Sequence, residues 1–155
     1  MNRRQMLLGS AAALCAAGSA RAGNETFQIQ RSEAEWRALL SPAEYEVLRE
    51  EATEPPGSSP LNGEARTGTY HCRGCDLPLY PSAAKYDSGT GWPSFHSALP
   101  GAVATRADRS FIFQVRTEVH CSRCGSHLGH VFDDGPEPTG KRHCLNGLAL
   151  VFRPT

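Results

Sequence analysis

The 155-residue sequence predicts a mainly β fold from three observations: about six short strand candidates bounded by turn residues, helix signals confined to residues 32–51, and no alternation of strand with helix. With 39% hydrophobic and 21% charged residues, the chain has enough apolar side chains for one domain with its own core.

The first 22 residues stand apart from that domain. Arg3 and Arg4 precede an apolar run from Met6 to Ala17, and small residues ending in Ala20-Arg21-Ala22 make a cleavage signal before Gly23. A run of about 12 residues is too short to cross a bilayer core of roughly 30 Å as a helix, so an export signal is expected and stable membrane insertion is not. The Arg pair followed by Gln5-Met6-Leu7-Leu8 fits the twin-arginine route for proteins exported already folded, with an ordinary secretory signal as the alternative. Either route leads to the periplasm. Cys15 follows Leu14, where a lipid-anchor signal needs a small residue, and reads as a hydrophobe discarded with the leader.

Residues 23–31 read as a connector with an edge strand as an option, and residues 32–155 as the single domain. Ser32 with Glu35 forms a capping box, and Trp36, Leu39 and Leu40 then fall on one helical face. Ser41 with Glu44 repeats the signal, with Pro42 at the first helical position and a stripe of Tyr45 and Leu48. Trp36 at this spacing is a core residue. Pro, Gly, Ser and Asn are dense from Thr53 to Gly68, which predicts an ordered wrap without regular structure. Strand, Cys-x-x-Cys turn and strand then occur twice, around Cys72-Arg73-Gly74-Cys75 and Cys121-Ser122-Arg123-Cys124. Between them come the turn Asp87 to Gly91, the segment Trp92-Pro93-Ser94-Phe95, and a strand candidate over Ser110–Arg116 in which Phe111, Phe113 and Val115 alternate. Leu148–Phe152 is the last strand candidate.

The charges exclude some functions. The chain's 16 basic and 16 acidic side chains cancel, but Arg3, Arg4 and Arg21 lie in the leader, so the remainder is slightly acidic and has no block of like charge. Nucleic acid and anionic membrane surfaces call for a basic patch and are not expected as partners.

Four thiolates at Cys72, Cys75, Cys121 and Cys124 suit one tetrahedral zinc, because two residues between paired cysteines let one turn present both sulfurs. A closed four-sulfur shell leaves no position for substrate, so the zinc is expected to be structural. Disulfides are the alternative in an oxidising compartment, unless zinc is loaded before export. His71 and His120 precede the pairs and stay unassigned. Cys144 is then the lone thiol of the mature chain. If its segment is a strand, Arg142, Cys144 and Asn146 share one face and His143 and Leu145 the other. A guanidinium beside a thiol favours the thiolate and makes it a nucleophile, whereas a buried structural cysteine is the bland alternative.

Gly89-Thr90-Gly91-Trp92-Pro93-Ser94-Phe95, His127-Leu128-Gly129-His130-Val131-Phe132, Asp134-Gly135-Pro136 and Arg142-His143-Cys144-Leu145-Asn146 together resemble the methionine sulfoxide reductase B family. The resemblance runs from about Ser32 to Phe152 and includes both cysteine pairs. It implies two small antiparallel sheets leaning together like a tent, supported by the zinc knuckles, with short N-terminal helices. It also implies an oxidoreductase of protein repair under oxidative stress, acting on the R epimer of methionine sulfoxide, free or in proteins. In that reading Cys144 is the nucleophile and passes through a sulfenic acid. Trp92 with Phe95 forms the apolar wall for the substrate methyl. His127 and His130 flank the sulfoxide oxygen, Asn146 orients a water or histidine, and Arg142 supplies positive field.

Thr90 stands where many members carry a resolving cysteine, so an external thiol or thioredoxin-like reductant is expected to regenerate Cys144. His143 in place of a frequent Tyr, and Gly147-Leu148 in place of a small polar pair, are expected to reshape the pocket wall. A monomer is expected. A zinc-ribbon binding module without catalysis, or another thiol oxidoreductase or peroxidase, are the competing readings. The first leaves Cys144, Trp92 and both histidines idle, and the second normally needs a redox-active cysteine pair.

Overall fold

The computed structural model of the chain describes residues 26–111 and 113–155. The leader at 1–22, Cys15 included, and the start of the connector lie outside the described residues. Two helices open the described part, α1 (Glu33–Leu39) and α2 (Pro42–Glu50). Both start where the sequence places them, because the caps are local. Ser32 Oγ accepts from Glu35 N while Glu35 Oε2 accepts from Ser32 N at 2.8 Å, and Ser41 and Glu44 repeat the reciprocal pair. Trp36 is buried in the core with Tyr45, Val47 and Leu48. Among the described residues no helix is long and apolar enough to cross a membrane.

Among the described residues nine strands follow: β1 (Gly68–Cys72), β2 (Pro78–Pro81), β3 (Lys85–Tyr86), β4 (Ser94–Phe95), β5 (Val103–Phe111), β6 (Gln114–Cys121), β7 (His127–Phe132), β8 (Arg142–Leu145) and β9 (Leu150–Pro154). They form two antiparallel sheets, one of three strands in the order β2-β1-β9 and one of six in the order β3-β4-β8-β7-β6-β5. The fold is mainly β with two antiparallel sheets, as expected. Tyr70, Tyr80, Phe95, Leu79 and Leu145 fill the interior, with Tyr70 and Tyr80 each packed within 5 Å of the Phe95 ring, at 4.9 and 4.7 Å.

Three expectations need correction. The apolar alternation over Ser110–Arg116 is not one strand. β5 ends at Phe111 and β6 begins at Gln114, so a hairpin tip interrupts it, and Phe113 is 99% exposed. The register of that hairpin is set by charges: Arg106 faces Glu118 and Asp108 faces Arg116 across the pair, and both pairs are ion pairs. The edge strand considered for the connector is absent from residues 26–31, which instead cross the second knuckle, with Ile29 N–H donating to Arg123 O at 3.0 Å and Phe27 set edge-on to His120. Phe95 is the third, since it lies fully buried in the core.

The wrap over residues 53–68 is free of regular structure, as expected, apart from a single 3₁₀ turn at Pro60–Gly63 and the start of β1 at Gly68. Its anchor is the buried Glu54, whose carboxylate accepts from Gly147 N at 2.6 Å and Leu148 N at 3.0 Å. Glu54 also carries the chain against the site described next: its N–H donates to Asn146 Oδ1 and its carbonyl accepts from Trp92 Nε1, both at 3.0 Å.

Candidate active site

Register builds the site. Directly opposed residues in neighbouring antiparallel strands project to the same face. One continuous row across the six-stranded sheet reads Tyr86, Ser94, Cys144, His130, Glu118, Arg106. The adjacent row on the opposite face holds Phe95 and His143. Cys144 therefore sits in mid-sheet, half-buried, between Ser94 and His130. Gly129 permits this close packing of β7 on β8, because a Cβ there would lie 2.0 Å from the Cys144 carbonyl oxygen.

A cavity of about 140 Å³ opens beside the sulfur, lined by Trp92, His130, Phe132, Cys144, Asn146 and Arg116 among others. It is smaller than the roughly 300–1,000 Å³ of sites for drug-sized ligands and fits the end of one side chain. Trp92 is fixed in it by its indole N–H on Glu54. Asn146 is tied through Oδ1 to Glu54 N–H and donates from Nδ2 to Leu128 O at 3.3 Å, so it joins the wrap to β7 and completes the cavity wall.

The two histidines are held by carboxylates that sequence reasoning missed. His130 Nε2 meets Asp108 Oδ2 at 2.8 Å, and Arg116 donates to the same oxygen at 2.7 Å. His127, 2% exposed, meets Glu118 Oε1 through Nδ1 at 2.8 Å, while Arg106 pairs with that carboxylate from the other side. His127 Nε2 is buried with no hydrogen-bond partner. Burial pushes the Glu118 carboxyl up, but bonds from His127 and Arg106 outweigh it and hold the group below its ordinary range. Burial is also the main influence on His130 and lowers it, with Asp108 opposing, so the ring is neutral near pH 7. The signal for these partners was present as Asp and Glu in strand candidates, but only the register says which histidine each reaches.

Arg142 is less directly an activator than its position in sequence suggests. It makes two bonds to Asp134, at 2.8 and 2.9 Å, and lies over the Phe132 ring at 4.4 Å. Burial raises the Cys144 thiol, and hydrogen bonding from Thr90 together with the Arg142 charge lowers it only in part. The resting group is a thiol.

Phe95, expected in the substrate wall, is fully buried with 0% exposure and faces the core, one residue out of phase with Ser94 and Cys144. His143 does not shape the pocket wall either: its Nδ1 lies 3.0 Å from Tyr80 Oη on the opposite face. Gly147 and Leu148 donate to Glu54 and line a different groove. Burial, with the charges of Lys141 and His96, holds His143 down to about 4, against roughly 6.5 in an unfolded chain. Between those values the unfolded chain binds a proton that the native one refuses, so stability is complete above about 6.5 and falls as pH drops toward 4. His143→Gln removes that titration and keeps a partner for Tyr80. Its urea midpoint is expected to change less than the parent's between neutral pH and the acid end of that window, and an equal change would assign the loss to another group.

The second centre is sulfur only. Cys72 ends β1 and Cys121 ends β6, and their turns match: Asp76 N–H donates to Cys72 O at 2.8 Å and Gly125 N–H to Cys121 O at 2.9 Å. Asp76 and Gly125 both take the left-handed conformation, with φ of 59° and 67°. Cys72 Sγ lies 3.7 Å from Cys124 Sγ and Cys75 Sγ 3.5 Å from Cys121 Sγ, and all four sulfurs fall within 4.8 Å of one another. Those spacings exceed a disulfide bond of roughly 2.05 Å and match the edge of a tetrahedron with Zn–S near 2.3 Å, about 3.8 Å. The donor set fits zinc. His71 turns to Asp76 and lies outside the sulfur group, as does His120.

A family model described as the SelR domain matches residues 40–154. The chain is 49% identical over 127 residues to the peptide methionine sulfoxide reductase MsrB of Pseudomonas entomophila, covering 82% of this chain and 97% of that protein. It is 51% identical over 125 residues to the protein of the same name from Thiobacillus denitrificans, covering 80% and 94%. The chain belongs to the methionine sulfoxide reductase B family. The protein of the same name from Methanosarcina mazei is 48% identical over 126 residues, covering 81% and 89%. Membership of this family makes the chain an oxidoreductase, and the binding-module reading falls away.

Proposed function

We propose that this protein reduces the R epimer of methionine sulfoxide, in proteins and as the free amino acid, with Cys144 as nucleophile. The observation that carries this reading is the small cavity whose lining brings Trp92, Cys144 and His130 together. The methyl of the substrate rests on Trp92, the oxygen lies toward the histidines, and sulfur faces Cys144. Three unlike contacts around a chiral sulfur admit one epimer, and family membership supports R.

The Cys144 thiolate attacks the sulfoxide sulfur, oxygen passes to the cysteine with one proton, and the thioether leaves, giving Cys144 sulfenic acid and methionine. That proton comes from the resting Cys144 thiol: His130, neutral and oriented by Asp108, or His127, through its unpartnered Nε2, takes it as the thiolate forms and passes it to the departing oxygen. Among the described residues the other four cysteines make up the sulfur group, and Thr90 leaves no resolving thiol at the turn. An external thiol or thioredoxin-like dithiol then forms a mixed disulfide with loss of water, and a second thiol releases Cys144. The Cys72, Cys75, Cys121 and Cys124 group holds one zinc ion, which when bound cross-links the knuckles and takes no part in turnover. The leader sends the folded protein to the periplasm, where it acts as a monomer.

Separated R and S epimers of a blocked methionine sulfoxide, with dithiothreitol as reductant, test the reading. Turnover of R alone is expected. Turnover of S, or of neither by zinc-replete protein, would overturn it.

A further inference from the structure

Three hydroxyls run from the Cys144 sulfur into the protein. Thr90 Oγ1 lies 4.0 Å from Cys144 Sγ, Ser88 Oγ 2.8 Å from Thr90 Oγ1, and Ser94 Oγ 2.7 Å from Ser88 Oγ. At the far end the buried Ser94 hydroxyl is within reach of the Trp92 carbonyl, at 3.3 Å. A carbonyl only accepts and each hydroxyl has one proton to give. With the Ser94 proton on that carbonyl, Ser88 donates to Ser94, Thr90 donates to Ser88, and the Thr90 oxygen accepts from the Cys144 thiol.

Ionisation reverses part of this order. A thiolate only accepts, so the Thr90 proton turns to sulfur and the Ser88 proton turns to Thr90, while Ser94 keeps its carbonyl. Two hydroxyl rotations accomplish it, without moving the backbone. We propose that Thr90 and Ser88 form a switchable donor pair that stabilises the Cys144 thiolate, with Thr90 a catalytic residue in contact with the reacting sulfur. The proposal rests on Cys144 being the nucleophile.

The loop that carries the pair is held in place. Gly89 N–H donates to Asp87 Oδ1 at 2.9 Å, and Gly91 O accepts from Gly57 N at 2.7 Å and Asn62 Nδ2 at 2.9 Å. The charged groups facing Cys144 from its neighbours are matched among themselves. Arg142 on β8 is paired with Asp134, and Arg116 on β6 and His130 on β7 share Asp108. Tyr86 on β3 is held as the neutral phenol, chiefly by burial. Burial raises the thiol, and among the influences that pull it down the Thr90 bond comes first, ahead of the charge and bond of Arg142 and the bond of Ser94.

The test reads ionisation without substrate. Full-length, zinc-loaded protein is alkylated with iodoacetamide across a pH series, and labelling at Cys144 is followed by peptide mass. Thr90→Val is expected to lower the labelling rate near neutral pH about tenfold, the worth of one hydrogen bond to a charged group. Thr90→Ser is expected to restore it, and Ser88→Ala to give a smaller loss of the same sign. An unchanged rate in Thr90→Val, or a loss in Thr90→Ser as large as in Thr90→Val, overturns the proposal. If the valine variant does not fold, Ser88→Ala decides, and an unchanged rate there overturns it. Because no sulfoxide is present, these results stand apart from the epimer assay, whose failure would instead remove the reductase reading.

Discussion

Cys144→Ser is expected to abolish sulfoxide reduction, by a factor on the order of 10⁴ or more, while leaving zinc content and melting temperature near those of the parent. A serine hydroxyl in the same strand keeps the register with Ser94 and His130 and changes little volume, so the fold has no reason to respond. It cannot, however, accept oxygen to form a stable sulfenic acid or supply a thiolate near neutral pH. The sulfur group lies elsewhere, at the ends of β1 and β6, and does not include Cys144. Mass spectrometry of the parent after one turnover without reductant completes the prediction: a gain of one oxygen at Cys144, and no loss of two hydrogens. Residual turnover above a hundredth in the serine variant would place the chemistry on another residue. A disulfide within the chain would show that a zinc cysteine reaches Cys144.

How much of this was legible before the structure differs by the range of the interaction. Ser32 with Glu35, and Ser41 with Glu44, announce helix starts because both partners lie within one turn. The knuckles are legible for the same reason, two residues between sulfurs, and the pairing of the knuckles follows from tetrahedral demand. Cys144 stood out as the lone thiol left by the two pairs, Trp92 and the histidines came from motif resemblance, and the structure gathers Cys144, Trp92 and His130 about one cavity. What the sequence concealed depends on register. Phe95 sits one residue from Ser94, and that single step sends it to the core instead of the substrate. His143 goes to Tyr80 by the same alternation, while Cys144 stays on the working face. Asp108 and Glu118 could not be matched to His130 and His127 until the β5–β6–β7 ladder was fixed, and Glu54 lay in a stretch read only as wrap. Phe113 misled in the other direction. An apolar residue at strand period predicts burial, but the hairpin tip carries it clear of both sheets.

Removing zinc is expected to unfold the domain at ambient temperature. The two knuckles belong to different sheets, Cys72 to the three-stranded one and Cys121 to the six-stranded one, so a metal held between them fastens the sheets at a point 46 to 52 residues apart in the chain. The helices are seated on the same fastening. Arg49 Nη1 donates to Cys124 O at 3.3 Å, and Gly74, inside the first knuckle, is packed so closely on Trp36 and Leu48 that a Cβ there would come within 3.2 and 3.4 Å of them. Structural zinc sites release about 10–16 kcal/mol on binding, against a total stability of about 5–15 kcal/mol for an ordinary domain. Loss of the metal therefore outweighs what packing can hold. Circular dichroism during titration with a chelator, alongside metal analysis, is expected to show loss of cooperative melting in step with loss of one equivalent of zinc. Cys121→Ser should behave as the chelated parent does, and unlike Cys144→Ser it should lose fold and activity together. A chelated protein that kept its melting temperature would mean that the core of Tyr70, Tyr80 and Phe95 holds the sheets unaided, and the structural role of the four cysteines would be wrong.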